Sequence, residues 1–182
     1  GLVDLDRLLG GLQKSDLLIV AGRPASGKTG FLLTVAKNAA IIHKKHVAMF
    51  SLEMSNEQLV QRMIAQETNI NTQRLRSGKI EEDEWDSFVK AVDVLGNSKM
   101  FLDDTPALTP MQMRTKCRRL HLEHHIDLIL VDYIQLMSGE SRTENRVQEV
   151  SYISRYLKVL ARDLDVPVMA AAQLSRAVEQ RQ

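Results

Sequence analysis

The chain has 182 residues, 44% hydrophobic and 26% charged, which suits one globular domain and excludes a disordered or collagen-like chain. Its 24 basic and 23 acidic residues leave a net charge of +1, so any binding to nucleic acid or membrane has to come from local patches. The one cysteine, Cys117, excludes an intramolecular disulfide, and no apolar run approaches the ~18 residues of a spanning helix. With no signal-peptide pattern either, the expectation is a soluble cytoplasmic domain that does not contact membrane.

Short apolar runs alternate with segments of helical period. Leu17–Ala21 reads as a buried strand, and Thr29–Ile42 as a helix with Phe31, Leu32, Val35, Ala36, Ala39 and Ile42 on one face. Val47–Ser51 is a second strand. Ser55 and Gln58 have capping-box spacing and open a helix that carries Leu59, Met63 and Ile64. Trp85, Phe88, Val89, Val92 and Leu95 stripe a further helix. Met100–Leu102 is a short strand before Asp103 and Asp104, and Met113, Cys117 and Leu120 line a helix after Pro110. Asp127–Asp132 is a strand without alternation, as expected when both faces are covered. Val147 to Leu164 marks a long helix, and Val166–Ala172 the last strand. Strands alternating with helices predict an α/β fold with a parallel sheet flanked by helices on both faces.

The strongest motif runs through Gly22, Arg23, Pro24, Ala25, Ser26, Gly27, Lys28 and Thr29, with Gly30 following. It fits G-x-x-x-x-G-K-[ST] between a predicted strand and a predicted helix. Glycines let the backbone N–H groups curl around an anion, and the helix N-terminus adds partial positive charge. Lys28 is expected to reach the β- and γ-phosphates of ATP, and the Thr29 hydroxyl to ligate Mg2+. No G-x-G-x-x-G is present to suggest a dinucleotide.

Asp132 ends an apolar strand, where a carboxylate sits beside the phosphate site and can hold magnesium. Glu53 follows the Val47–Ser51 strand. Its position admits two readings, a base that polarises the attacking water or a charge favoured near a helix start. Gln173 closes the last strand, where its tip either contacts the γ-phosphate or bonds to its own loop. Asp103 and Asp104 are expected in a turn before Pro106, with a place facing the nucleotide as the alternative. Arg114, Arg118, His121 and His125 share a helical face of the kind that is usually solvated. The His121, His124 and His125 cluster lacks the spacing of a zinc site, and Cys117 is expected in the core.

On these residues the sequence resembles the RecA-like ATPase domain of bacterial replicative DNA helicases of the DnaB family. The likeness is carried by Gly10–Leu12, Gly22–Thr29, Ser51–Met54, Asp103–Pro106, Asp132–Met137 and Gln173–Arg176, and it spans residues 1–182. It implies a RecA-like P-loop NTPase fold. Glu53 would be the catalytic base, Asp132 the Walker B aspartate and Gln173 the γ-phosphate sensor, with Lys28 at the phosphates. It further implies a homo-hexameric ring that moves 5′ to 3′ on single-stranded DNA, and partnership with primase and a helicase loader in the full-length protein. The family pattern has a collar domain before the position of Gly1. It continues past Gln182 to an arginine finger and a main DNA loop, so the chain reads as a fragment whose ATPase activity alone is expected to be weak. Ser15 stands where the family usually has glycine. Ser138–Arg146, with Arg142 and Arg146, is either a pore-facing loop or a solvated one. Two readings stand beside the helicase: a filament-forming recombinase, whose ATPase chemistry would look alike, and a non-motor switch in which ATP only gates assembly with a protein partner.

Overall fold

The computed structural model describes residues 3–138 and 146–174. Five parallel strands form the central sheet. They are β1 (Leu17–Gly22), β2 (Val47–Ser51), β3 (Met100–Asp103), β4 (Leu128–Asp132) and β5 (Val168–Gln173), in spatial order β1-β5-β4-β2-β3. Every residue of β2 and β4 is buried, which is why neither shows the alternation of a half-exposed strand.

Side chains alternate between two cores. One face of the sheet offers Ala48, Phe50, Ile129, Val131, Val168 and Ala170. Against it pack Met113 and Cys117 of α6 (Pro110–His124) and Ile153, Leu157 and Leu160 of α7 (Arg146–Leu164). The other face offers Val47, Met49, Leu128, Leu130, Met169 and Ala171 to Leu32, Leu33 and Ala36 of α2 (Lys28–Lys37) and to Leu59 and Met63 of α3 (Asn56–Thr68). Helices on both faces of a parallel sheet are the architecture expected from the sequence pattern.

The capping box forms as its spacing predicts. Gln58 N–H donates to Ser55 Oγ at 3.4 Å, and Ser55 N–H donates to Gln58 Oε1 at 3.2 Å. Two elements depart from expectation. The helix expected to reach Ile42 changes to π geometry over Asn38–Ile42, where His43 N–H reaches back to the Asn38 carbonyl. The wider turn shifts the phase of the stripe, so Ala40 is buried and Ile42 is exposed. The stripe on α5 (Trp85–Gly96) is also largely open. Only Ala91 is buried, while Trp85, Val89 and Val92 face outward and Trp85 meets Phe88 edge to face. Two short helices, α1 (Val3–Leu9) and α4 (Thr72–Ser77), carry no buried residue, and no apolar stripe marked them in the sequence.

Candidate nucleotide site

The site lies at the carboxyl ends of β1, β2, β4 and β5. Between β1 and α2 the chain turns through Arg23–Gly27. Ser26 N–H donates to the Arg23 carbonyl at 3.2 Å, and Lys28 Nζ reaches back to the same carbonyl at 2.8 Å. Gly22 begins the turn because a Cβ there would stand 2.5 Å from Ser26 Oγ. Gly27 caps α2 at φ +89°, a left-handed conformation that strains any L side chain. It offers no side-chain cap, so the first N–H groups of α2 keep their hydrogen-bonding capacity for an anion.

A cavity of about 320 Å³ opens over this turn. Pro24, Ala25, Gly27, Lys28, Thr29, Gly30, Glu53, Met54, Arg62 and Gln173 line it. Of the residues expected from the sequence, Glu53 and Gln173 thus join Lys28 and Thr29 around one space. Gly22, Arg23 and Ser26 shape the turn without lining the cavity.

Glu53 is held there by the sheet. Ser51 and Asp132 are register partners, and Leu52 N–H continues the pairing by donating to the Asp132 carbonyl at 2.8 Å. The buried Ser51 hydroxyl donates to the Met54 carbonyl at 2.7 Å and accepts from Met54 N–H at 3.2 Å. These bonds close a tight turn that leaves the Glu53 side chain exposed toward the cavity.

Asp132 is 1% exposed, and neither carboxylate oxygen has a partner at hydrogen-bond geometry. Burial pushes its carboxyl above the ordinary value, while Thr29, Lys28 and Arg62 pull in the opposite direction. An acid facing a hydroxyl and two cations, with both oxygens unpartnered, suits a divalent cation that takes oxygen ligands, so Thr29 and Asp132 fit the expected magnesium pair.

Arg62 was not singled out in the sequence. It sits one residue before the buried Met63 on α3, and only the packing of α3 beside the phosphate turn brings it to the cavity. Asp103 is the last residue of β3, opposite Phe50, rather than part of the expected turn, because the strand runs one residue further than its apolar run; Asp104 leads into the turn, and neither lines the cavity. Asp103 accepts from Lys116 Nζ at 2.5 Å and from Thr105 N–H at 3.0 Å, and Asp104 accepts from Asn56 N–H at 2.9 Å. Arg114 and Arg118 are not simply solvated: both pair with Asp163 on α7 and so tie α6 to α7. Cys117 is buried in the core, and burial pushes its thiol up, away from nucleophile chemistry. The candidate DNA loop with Arg142 falls on residues 139–145, outside the described residues; Arg146 opens α7. Among the described residues, no helix is long and apolar enough to cross a membrane.

Comparison with known proteins bears on the fold and the family. The family model of the DnaB-like helicase C terminal domain matches residues 1–182. The chain is 52% identical over 183 residues to the replicative DNA helicase DnaB of Geobacillus stearothermophilus and 51% identical to the replicative DNA helicase DnaC of Bacillus subtilis (strain 168). All of this chain is covered in both cases, but it spans only about 40% of the length of each relative. Among solved structures, one described as an ATPase domain superposes with a TM-score of 0.92 at 32% identity, covering all of this chain and 65% of that one. A DnaB-like replicative helicase, described with its interactions with primase, also gives 0.92 at 32% identity, over all of this chain and 44% of its own. A phosphate turn, a cavity acid and a buried strand-end aspartate in one RecA-like sheet, matched over the whole length, place this chain in the family of DnaB-like helicase C-terminal domains.

Proposed function

We propose that this domain is the ATP-hydrolysing motor of a replicative DNA helicase that works as a homo-hexameric ring, moving 5′ to 3′ on single-stranded DNA in the cytoplasm. The observation that carries the reading is the shared cavity into which the phosphate turn, Glu53 and Gln173 all open above the buried Asp132. Family membership supports the helicase over the recombinase and switch readings.

In this reading the α2 N-terminus and Lys28 bind the ATP phosphates, and Lys28 exchanges its bond to the Arg23 carbonyl for phosphate oxygens. Thr29 and Asp132 hold Mg2+, which neutralises charge on the β- and γ-phosphates when bound. Glu53 accepts a proton from the water that attacks the γ-phosphorus in line, and the β–γ bridging oxygen leaves with ADP. Gln173 contacts the γ-phosphate, and Arg62 adds positive charge on the cavity wall. An arginine supplied by a neighbouring subunit completes the charge stabilisation, a contribution worth roughly 10³–10⁵ in rate in related systems. Net charge near zero makes ring geometry and avidity the source of DNA affinity. Primase and a helicase loader are the expected protein partners. One of the similar structures is described with primase.

The test is Mg2+-dependent ATP hydrolysis by the full-length protein that contains this domain, with and without single-stranded DNA, beside Glu53→Gln. DNA-stimulated turnover that disappears in the variant, with ATP binding retained, is the expected result. A variant that still hydrolyses ATP at the wild-type rate removes Glu53 from the role of base. Absence of DNA stimulation in the parent refutes the motor.

A further inference from the structure

The top of β5 has a gap on one side. β5 pairs with β1 as far as Gly22 opposite Gln173, but its ladder with β4 ends at Val131 opposite Ala170. Ala171, Ala172 and Gln173 therefore run beyond the last β4 pair. In a parallel strand, alternate residues direct both backbone groups to the same neighbour. The bond from Leu174 N–H to the Gly22 carbonyl, 3.0 Å, assigns Leu174 to the β1 side and Gln173 to the side that β4 has left.

A side chain fills that gap. Gln135 lies in the short 3₁₀ turn Ile134–Leu136, which starts two residues after Asp132. Its Oε1 accepts from Gln173 N–H at 3.0 Å, and its Nε2 donates to the Gln173 carbonyl at 2.9 Å. A primary amide carries a donor and an acceptor in one plane, as a peptide unit does. Gln135 thus continues the β4 side of the ladder by one rung, after the β4 backbone has turned away.

The consequence falls on the site. With Leu174 held by β1 on one edge and Gln173 by Gln135 on the other, the end of β5 is fixed from both sides, and Gln173 lines the nucleotide cavity. The same clamp ties the Gln173 backbone to the turn that follows Asp132. We propose that Gln135 is a positioning residue: it holds the Gln173 amide at the γ-phosphate and keeps it in register with the Asp132 end of β4. This rests on the reading of Gln173 as a γ-phosphate contact. Gln135 touches no substrate, and its effect passes through Gln173. ATP is sensitive to it, and ADP, which lacks the γ-phosphate, is not.

The experiment compares Gln135→Leu, Gln135→Glu, Gln173→Ala and the Q135L/Q173A double variant in the full helicase chain. It measures steady-state ATP hydrolysis and the affinities for ADP and ATPγS. Gln135→Leu is expected to lower kcat about tenfold, the scale of a small misplacement of a reacting-site group. ADP affinity stays at the wild-type value, which also shows that the site is folded, while ATPγS binding weakens. Gln135→Glu sets an acceptor-only carboxylate against the Gln173 carbonyl, so it is expected to be at least as slow as Gln135→Leu. The double variant is no slower than Gln173→Ala alone, because the two act as one unit. Wild-type turnover in Gln135→Leu beside a slow Gln173→Ala overturns the proposal and leaves the Gln173 reading standing. Additive losses, or equal weakening of ADP and ATPγS, overturn it as well. If Gln173→Ala turns over like wild type, the γ-phosphate reading of Gln173 fails, and a slow Gln135→Leu beside it shows that Gln135 acts by another route.

Discussion

Replacing Asp132 by asparagine sets stability against function. The carboxylate is 1% exposed, and its burial cost outweighs the partial compensation that Thr29, Lys28 and Arg62 supply. Leaving a buried polar group unpaired costs about 1–3 kcal/mol, and more when it is ionised. Asparagine is nearly the same shape and has no charge, but its amide is also unpaired, so the expected net gain is roughly 1–2 kcal/mol. For a chain of this size that raises Tm by roughly 2–8 °C in the presence of chelator. Because burial lifts the folded pKa of Asp132 above 3.8, the wild-type penalty is full above the folded pKa and is relieved as pH falls through it toward 3.8. The advantage of Asp132→Asn should therefore shrink in acid. With magnesium and a non-hydrolysable ATP analogue the order reverses. Wild type gains about 2.7 kcal/mol at a hundred times Kd, whereas the variant, without its anionic ligand, gains much less. Thermal unfolding in chelator and in magnesium with analogue, at one protein concentration, reads both effects. An Asp132→Asn protein less stable than wild type in chelator would refute the reasoning, because the carboxylate would then have to be satisfied in the folded state.

Two further outcomes follow from packing and ion pairing. Leu130 is fully buried in the middle of β4, so Leu130→Ala should cost about 2–5 kcal/mol. In a thermal melt this appears as a fall in Tm of roughly 2–4 °C per kcal/mol, and a change within error would mean that the site collapses around the cavity. Burial pushes the Asp103 carboxyl up, but its hydrogen bonds to Lys116 and Thr105 outweigh that and hold it below 3.8. Its contribution to stability is thus complete above the unfolded pKa and is lost as pH falls through the lower folded value. Urea midpoints should drop more steeply in acid for wild type than for Lys116→Met, and parallel profiles would show that the pair contributes nothing.

Much of this protein was legible from local chemistry. Residues 22–29 announce a tight strand–helix turn, because Gly22 and Gly27 stand where a Cβ or a left-handed φ would strain another residue, and Lys28 folds back onto that turn. The continuous apolar runs of β2 and β4 announced a sheet covered on both faces, and Ser55 with Gln58 announced a helix start, because period and capping depend on near neighbours. The roles of Glu53 and Gln173 were open from position alone. Whether a strand-end side chain reaches a common cavity depends on which strands lie side by side, and the order β1-β5-β4-β2-β3 is a property of the whole sheet. Arg62 on the cavity wall, the Asp163 pairs of Arg114 and Arg118, and the clamp of Gln135 on Gln173 were decided at the same level. Each joins residues far apart along the chain, on elements whose facing sides nothing local specifies. The sequence alone determined the glycine-bounded turn and the class of the fold. Tertiary packing decided which acids and amides surround the turn, because hydrogen bonds and fields act over a few ångströms of space and take no account of distance along the chain.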